Sequence, residues 1–512
     1  MILPGILALS GLGLLIFGSL GAVLWRAGGF GEGIGPADMA IIRFTLLQAT
    51  LSAGISVALA VPLARALARL AFPGRRLLVA LLGAPFILPV IVAVFGILGV
   101  WGRSGWISDL FLQVGLPRVD IYGLSGVVLA HVFFNLPLVT RLILLGWSAI
   151  PPEQFRLAAQ LGFTRADRFR HLEGPMLRRV VPGAFLVVFL LAMASFAVVL
   201  TLGGGPKATS VELAIFTAIR FEYDLGRAAL LAVLQVGLAG IFATILLITG
   251  RPTGITAGSI GAGPVFCDHT TWRYDGALII LATAFLLTPI LAVILRGLPA
   301  LTDVFDARLA EALGLSLAIA AVSTFIALGG ALVIAALAVR VRTGWLTEAM
   351  AMLVLVASPF VLGTGLFLLI QPLADPFRLA LPVTALINGA LTLPFCLRII
   401  YPAWSRLDQT HGALAASLGI TGPSFFRLVL WPGLKAPIGF AAGLSAALSM
   451  GDLGVITLFA PVDQATLPLL IYRLMGAYRM DQAAAVALIL TVTSIALFLL
   501  IEKGTRLGRH LS

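Results

Sequence analysis

The chain is written in long apolar runs separated by short polar stretches. A helix crossing the roughly 30 Å hydrocarbon core of a bilayer needs about 20 consecutive, mostly apolar residues. Twelve runs meet that length and predict helices at about 3–24, 43–64, 77–101, 122–146, 180–202, 227–249, 277–296, 312–339, 347–370, 379–401, 436–459 and 483–501. Polar stretches ahead of the second and eighth runs predict that these helices extend past the hydrocarbon. Strands do not compete, because barrel strands alternate over short segments whereas these runs are continuous. The first run, Ile2 to Leu24, has no basic segment before it and no small-x-small cleavage site before Trp25 and Arg26. It therefore reads as a retained membrane helix and not as a signal peptide.

Composition agrees with the pattern. Charged residues make up 11% of the chain, against about 25% in an ordinary soluble domain. The formal net charge of +12 would point to nucleic acid in a soluble protein, but here its distribution follows the positive-inside rule. With the N-terminus inside, the inner loops carry Arg65, Arg69, Arg75 and Arg76, a cluster from Arg156 to Arg179, Arg340 and Arg342, Arg406, Arg427 and Lys435, and the terminal Lys503, Arg506 and Arg509. The opposite loops hold most of the acids, among them Glu212, Glu222, Asp224, Asp303, Asp306, Glu311, Asp463 and Asp481. This asymmetry predicts a multi-pass inner-membrane protein with both termini cytoplasmic. The lipid bilayer is its surroundings, and nucleic acid is not a partner.

The chain repeats itself. Arg156 to Pro182 is a basic, helix-prone island between apolar runs, and Ala413 to Gly439 aligns with its start 257 positions on through Ala158/Ala415, Ala159/Ala416, Gly162/Gly419, Phe169/Phe426 and Pro175/Pro432. The same offset relates Pro137 to Pro394, Arg141 to Arg398 and Asp224 to Asp481. Between the halves, Arg251 to Cys267 is rich in Gly, Ser and Thr without helical periodicity, the composition of a flexible linker. The expected organisation is a first module over 1–250, a cytoplasmic linker over 251–275 and a second module over 276–512. The fold class is an all-α polytopic membrane protein of about twelve spans in two homologous six-helix modules. Both modules start inside, so they are parallel repeats about an axis normal to the membrane.

Catalytic patterns are missing. Gly203-Gly204-Gly205-Pro206-Lys207 lacks the spacing of a phosphate loop and no strand precedes it, so it reads as a tight turn. Cys267 and Cys396 are far apart and suit neither a disulfide framework nor a metal site. Pro85, Pro89 and Pro359 interrupt the third and ninth runs and are expected to bend or pack those helices. The duplicated islands are the distinctive feature. In each, an Ala-Ala step begins a short helix, a glycine permits a turn, and small residues there let another protein's backbone approach.

This spacing resembles the cytoplasmic EAA loop of binding-protein-dependent ABC importer permeases, E-A-A-x3-G-x9-I-x-L-P. Nine residues lead from Gly162 to Leu172-x-Gly174-Pro175, and nine from Gly419 to Val429-x-Trp431-Pro432. The family's leading Glu is replaced by Arg156 and Ala413, which removes any salt bridge made by that Glu. The resemblance implies that Arg156, Leu157, Ala158, Ala159, Gly162 and Pro175, with Ala413, Leu414, Ala415, Ala416, Gly419 and Pro432, couple the chain to a cytoplasmic ABC ATPase dimer. ATP and magnesium then belong to that partner, and this chain binds no cofactor or metal and is not an enzyme.

The segments from Ser195 and Ser449, and T-L-P-L-L-I-Y-R-L-M-G-A-Y-R-M-D-Q-A-A-A from Thr466, are similar to the fused permeases of bacterial thiamine importers. The similarity implies a periplasmic thiamine-binding protein as a further partner and leaves thiamine phosphates open as cargo. Fused ferric-iron importer permeases share the architecture, and an ion-coupled secondary transporter is the rival from another class. Asp452 lies in the eleventh run between Gly451 and Gly454, where a carboxylate costs about 2.5–3.5 kcal/mol even on lenient insertion scales. It is expected either to line the translocation path opposite a cationic cargo, with Ser195 at the equivalent place, or to pair with a protein cation or lie in the outer interface.

Overall fold

The computed structural model describes residues 2–27, 35–82, 88–205, 208–249, 272–341, 356–461 and 464–507. Most of the predicted linker, the start of the ninth run, Pro85, Cys267 and Asp463 lie outside these residues. The first half contains α1 (Ile2–Ala27), α2 (Pro36–Arg69), α3 (Arg75–Leu81), α4 (Val90–Trp101), α5 (Trp106–Gln113), α6 (Leu124–Ser148), α7 (Pro152–Gln160), α8 (Arg165–Arg168), α9 (Gly174–Met193), α10 (Ala197–Leu202), α11 (Val211–Arg220) and α12 (Leu225–Thr249). The second contains α13 (Trp272–Gly297), α14 (Ala307–Val341), α15 (Pro359–Ile370), α16 (Ala380–Ser417), α17 (Gly422–Phe425), α18 (Trp431–Met450), α19 (Gly454–Phe459), α20 (Leu467–Gly476) and α21 (Met480–Leu507).

Helices are the outcome because a backbone in hydrocarbon must bond to itself. There is no strand among the described residues, and 11 of the described helical stretches are long and apolar enough to cross a membrane. The ninth predicted run is described only at its end, as the shorter apolar α15. The protein is an all-α polytopic membrane protein. As the flanking polar residues predicted, α2 and α14 reach well beyond their apolar runs.

The duplication is visible in the element boundaries. A shift of 257 positions carries α8 onto α17, α9 onto α18 and α10 onto α19 residue for residue. It also superimposes two wide π-helical turns, Phe169–Glu173 and Phe426–Leu430. Each turn runs into a helix with proline at its second position, Pro175 or Pro432. A proline there supplies no N–H and its ring would collide with the carbonyl four residues back, so one extra residue in the turn relieves both problems.

Three predicted spans are interrupted. The third ends its first part at Leu81 and resumes at Val90, after Pro89. The fifth stops at Met193 and resumes at Ala197, and the eleventh stops at Met450 and resumes at Gly454. Asp452 is thus not in a continuous helix, as its apolar surroundings in sequence implied, but in a break. Its Oδ1 accepts the N–H of Gly454 at 3.2 Å, a local bond that competes with the helical ladder and stabilises the turn.

The halves interlock. α1 packs on α14 and α15 of the second half, and α13 packs on α2 and α4 of the first. Both crossings depend on glycine. A Cβ on Gly96 of α4 would overlap the Pro289 carbonyl of α13, and one on Gly365 of α15 would overlap the Ser19 backbone of α1. A buried ion pair reinforces the seam: Arg69 Nη2 of α2 donates to Asp275 Oδ1 of α13 at 2.7 Å, with both side chains almost fully enclosed.

Candidate translocation cavity and coupling segments

The two repeated islands build the same turn. After α7, Gly162 adopts φ +70°, and after α16, Gly419 adopts φ +69°. The Phe163 N–H bonds to the Ala158 carbonyl at 2.9 Å and the Gly162 N–H to the Ala159 carbonyl at 3.2 Å. In the second half, Ile420 bonds to Ala415 at 2.8 Å and Gly419 to Ala416 at 3.1 Å. This is a helix stop that uses a left-handed residue, where glycine avoids the Cβ clash. Downstream, Thr164 starts α8 with a capping box, giving its N–H to Asp167 Oδ2 at 3.0 Å while its Oγ1 accepts the Asp167 N–H at 3.3 Å.

Burial divides the motif. Ala158 and Ala415 are buried; they pack the segment against its own protein and offer no surface to a partner. The residues that project are Arg156, Leu157, Ala159 and Gly162 in one copy and Ala413, Leu414, Ala416 and Gly419 in the other, with Pro175 and Pro432 exposed beside them. Most of the apolar surface comes from Leu157 and Leu161, matched by Leu414 and Leu418, all between 55% and 66% exposed. Leu161 and Leu418 were not singled out from the sequence, although their i, i+4 spacing from Leu157 and Leu414 places them on the same helix face.

The copies are joined to the bundle differently. Pro151 and Pro152 separate α7 from α6, whereas α16 continues without interruption from the bundle to Ser417. The positions equivalent to the two prolines are Asp408 and Gln409. The second candidate coupling segment is therefore the end of a 38-residue helix, not the short separate helix expected, and in both copies the Ala-Ala step closes a helix instead of beginning one.

The breaks at Ser195 and Asp452 open on one cavity of about 340 Å³. Its wall takes Leu88, Phe134 and Phe196 from the first half and Phe360, Ala447 and Leu453 from the second. The Phe196 and Phe360 rings meet across the seam with centroids 4.2 Å apart. Asp452, His131 and Asn135 add polar groups. The Asp452 Oδ2 atom is buried without a hydrogen-bond partner among the described residues. The protein-cation alternative expected for Asp452 is thus not realised among these residues. Irregular backbone at membrane depth is tolerated where it lines a cavity, and both breaks satisfy that condition. Asp224 and Asp481 are both exposed, as acids of the outer loops: Asp224 Oδ1 accepts the Arg227 N–H at 2.9 Å, and Asp481, 72% exposed, pairs with Arg296 at 2.8 Å.

Two interlocked halves, a polar-spotted cavity at their seam and a duplicated projecting segment at one end define a membrane transport permease. No protein-family model matches the chain. It is 39% identical to the thiamine transport system permease protein ThiP of Brucella abortus (strain 2308), covering 98% of this chain and 94% of that one. It is 39% identical to the protein of the same name from Escherichia coli (strain K12), over 90% of this chain and 88% of that one. With the Haemophilus influenzae protein the identity is 36% over the same shares. The chain belongs to the family of ThiP permeases of ABC-type thiamine transport systems.

Proposed function

We propose that this chain is the permease subunit of an ATP-driven thiamine importer of the bacterial inner membrane, with both termini cytoplasmic and a division into modules at 251–275. A periplasmic thiamine-binding protein delivers cargo on one face. On the other, an ABC ATPase dimer that carries ATP and magnesium seats on the two coupling segments, chiefly through the paired leucines. The chain hydrolyses nothing. The observation that carries this reading is the convergence of Ser195 and Asp452, equivalent positions of the two halves, on one cavity.

The lining suits an organic cation. Asp452 supplies a negative charge in a site of low polarity, where attraction to a permanent positive charge is strong. Phe134, Phe196 and Phe360 offer aromatic faces to a cationic ring. These features, together with near-full-length identity to thiamine permeases, favour thiamine over ferric iron. The test is uptake of labelled thiamine by proteoliposomes holding the permease, its ATPase and its binding protein. Loss of a buried charge contact of about 1.4 kcal/mol corresponds to a tenfold effect, so Asp452→Asn is expected to lower uptake at least about tenfold at equal permease content. Unchanged uptake would remove Asp452 from the path.

A further inference from the structure

His131 is the unused group in the cavity. It lies on α6 in a stretch of apolar residues, is 3% exposed and lines the same wall as Asn135. Its Nδ1 is 3.1 Å from Ser52 Oγ of α2, which fixes the ring plane. Its Nε2 is buried and has no hydrogen-bond partner among the described residues. Leaving a buried polar nitrogen unpaired costs about 1–3 kcal/mol, and a core position served only by shape would be filled more stably by an apolar side chain.

Asp452 repeats this design from the other half. One of its oxygens is held by the Gly454 N–H, and the other, with Asn388 nearby, makes no hydrogen bond among the described residues. Each half of the chain therefore contributes to the cavity one polar side chain that is pinned through one atom and left open at another. Two such groups around aromatic walls form a two-point site. One point takes charge and the other takes a hydrogen bond.

We propose that His131 is the specificity-determining residue of the cavity, its Nε2 bonding the aminopyrimidine ring of thiamine while Asp452 faces the thiazolium. The inference rests on the thiamine reading above. The imidazole edge suits this ring because an aminopyrimidine presents donors and acceptors side by side, so either tautomer of His131 finds a complement. Phe134, four residues before Leu138 on the same helix wall, and Phe196 and Phe360 across the seam supply the faces between the two points. A site that hydrogen-bonds a cargo group rejects analogues lacking it much more strongly than an apolar site would.

The experiment compares thiamine with an analogue lacking the pyrimidine amino group, in proteoliposomes carrying the whole complex. The binding protein is identical in every arm, so a changed preference arises in the permease. His131→Leu is expected to lower thiamine uptake about tenfold, the effect of one lost hydrogen bond of about 1.4 kcal/mol, and to erase the preference for thiamine over the analogue. His131→Gln keeps a polar group at this position and is expected to retain most of that preference. Asp452→Asn is expected to lower uptake of both cations alike. Unchanged preference in His131→Leu, with Asp452→Asn defective, would overturn the role of His131 and leave the cavity assignment standing. Normal uptake in both variants would overturn the cavity assignment itself. If His131→Leu fails to accumulate in the membrane, Ser52→Ala, which frees the ring, decides: a reduced preference supports the proposal and an unchanged one overturns it.

Discussion

Gly162 and Gly419 hold almost identical left-handed conformations, and no atom approaches the place where a Cβ would lie at either. The demand at these positions is therefore conformational and not steric. A β-branched residue forced into that region costs about 1–2 kcal/mol, which the exposed turn can relieve by changing the angle at which the coupling helix leaves it. Gly162→Val and Gly419→Val are expected to leave the membrane bundle folded while lowering thiamine transported per ATP hydrolysed several-fold. Parallel ATPase and uptake assays check this, and normal coupling in both variants would refute the assignment of the segments. These glycines were legible in the sequence because the turn repeats with its motif. Ser195 and Asp452 were legible as a pair for the same reason, but the break between helices was not, since hydropathy records apolar character and is blind to a lost backbone bond. His131 left no mark at all: a single histidine in an apolar run is indistinguishable from one satisfied in the core until its open nitrogen and the cavity are seen together.

At the scale of elements, the coupling segments reach the bundle by different means although their turns coincide. In the first half, Glu173 at the end of the wide turn is buried and pairs with Arg65 of α2 at 2.7 Å, and Arg65 also lies over the Phe169 ring. In the second half, the equivalent position is the buried Leu430. One half ties its segment with charge and the other with apolar contact. Removing one member of a buried pair leaves an uncompensated charge, whereas replacing both with apolar groups is often neutral. Arg65 is partly solvated, so Glu173→Ala is expected to destabilise by about 2 kcal/mol, below the full cost of breaking an enclosed pair. The double variant Arg65→Met/Glu173→Leu, which imitates the second half, is expected to recover most of that loss. Thermal unfolding of the purified protein in detergent checks both; no recovery in the double variant would mean that the charges have a further role. The sequence could not show this asymmetry. It aligned Glu173 with Leu430 as an ordinary difference within a repeat, and Arg65 lies more than a hundred positions from its partner. The length of α16 was hidden for a related reason: polar residues after position 401 marked the end of the hydrocarbon, not the end of the helix.

At the scale of the molecule, each half is completed by the other. The duplication made two homologous halves legible, as the matching element boundaries bear out, but side-to-side packing between helices leaves no periodic trace, and nothing in the runs indicated that α1 and α13 would each cross to the opposite half. Gly96 and Gly365 are the contacts that allow it. This interlocking has a consequence for assembly. Both halves contribute polar groups to the cavity, and the two segments proposed to seat the ATPase pair belong to one chain, so on the proposed function a single copy suffices for the path and for both seats. A second copy would add two further seats with no ATPase to fill them. The assembled importer is expected to contain one permease chain and two ATPase chains, as read from the mass of the intact complex by native mass spectrometry. A Gly365→Leu variant, which drives a side chain into the Ser19 backbone of α1, is expected to reduce the yield of that complex while Gly162→Val does not, because one disrupts the seam and the other only the angle of a docking segment. A complex containing two permease chains, or equal assembly of the two variants, would show that the interlocked halves are not the unit on which the ATPases are built.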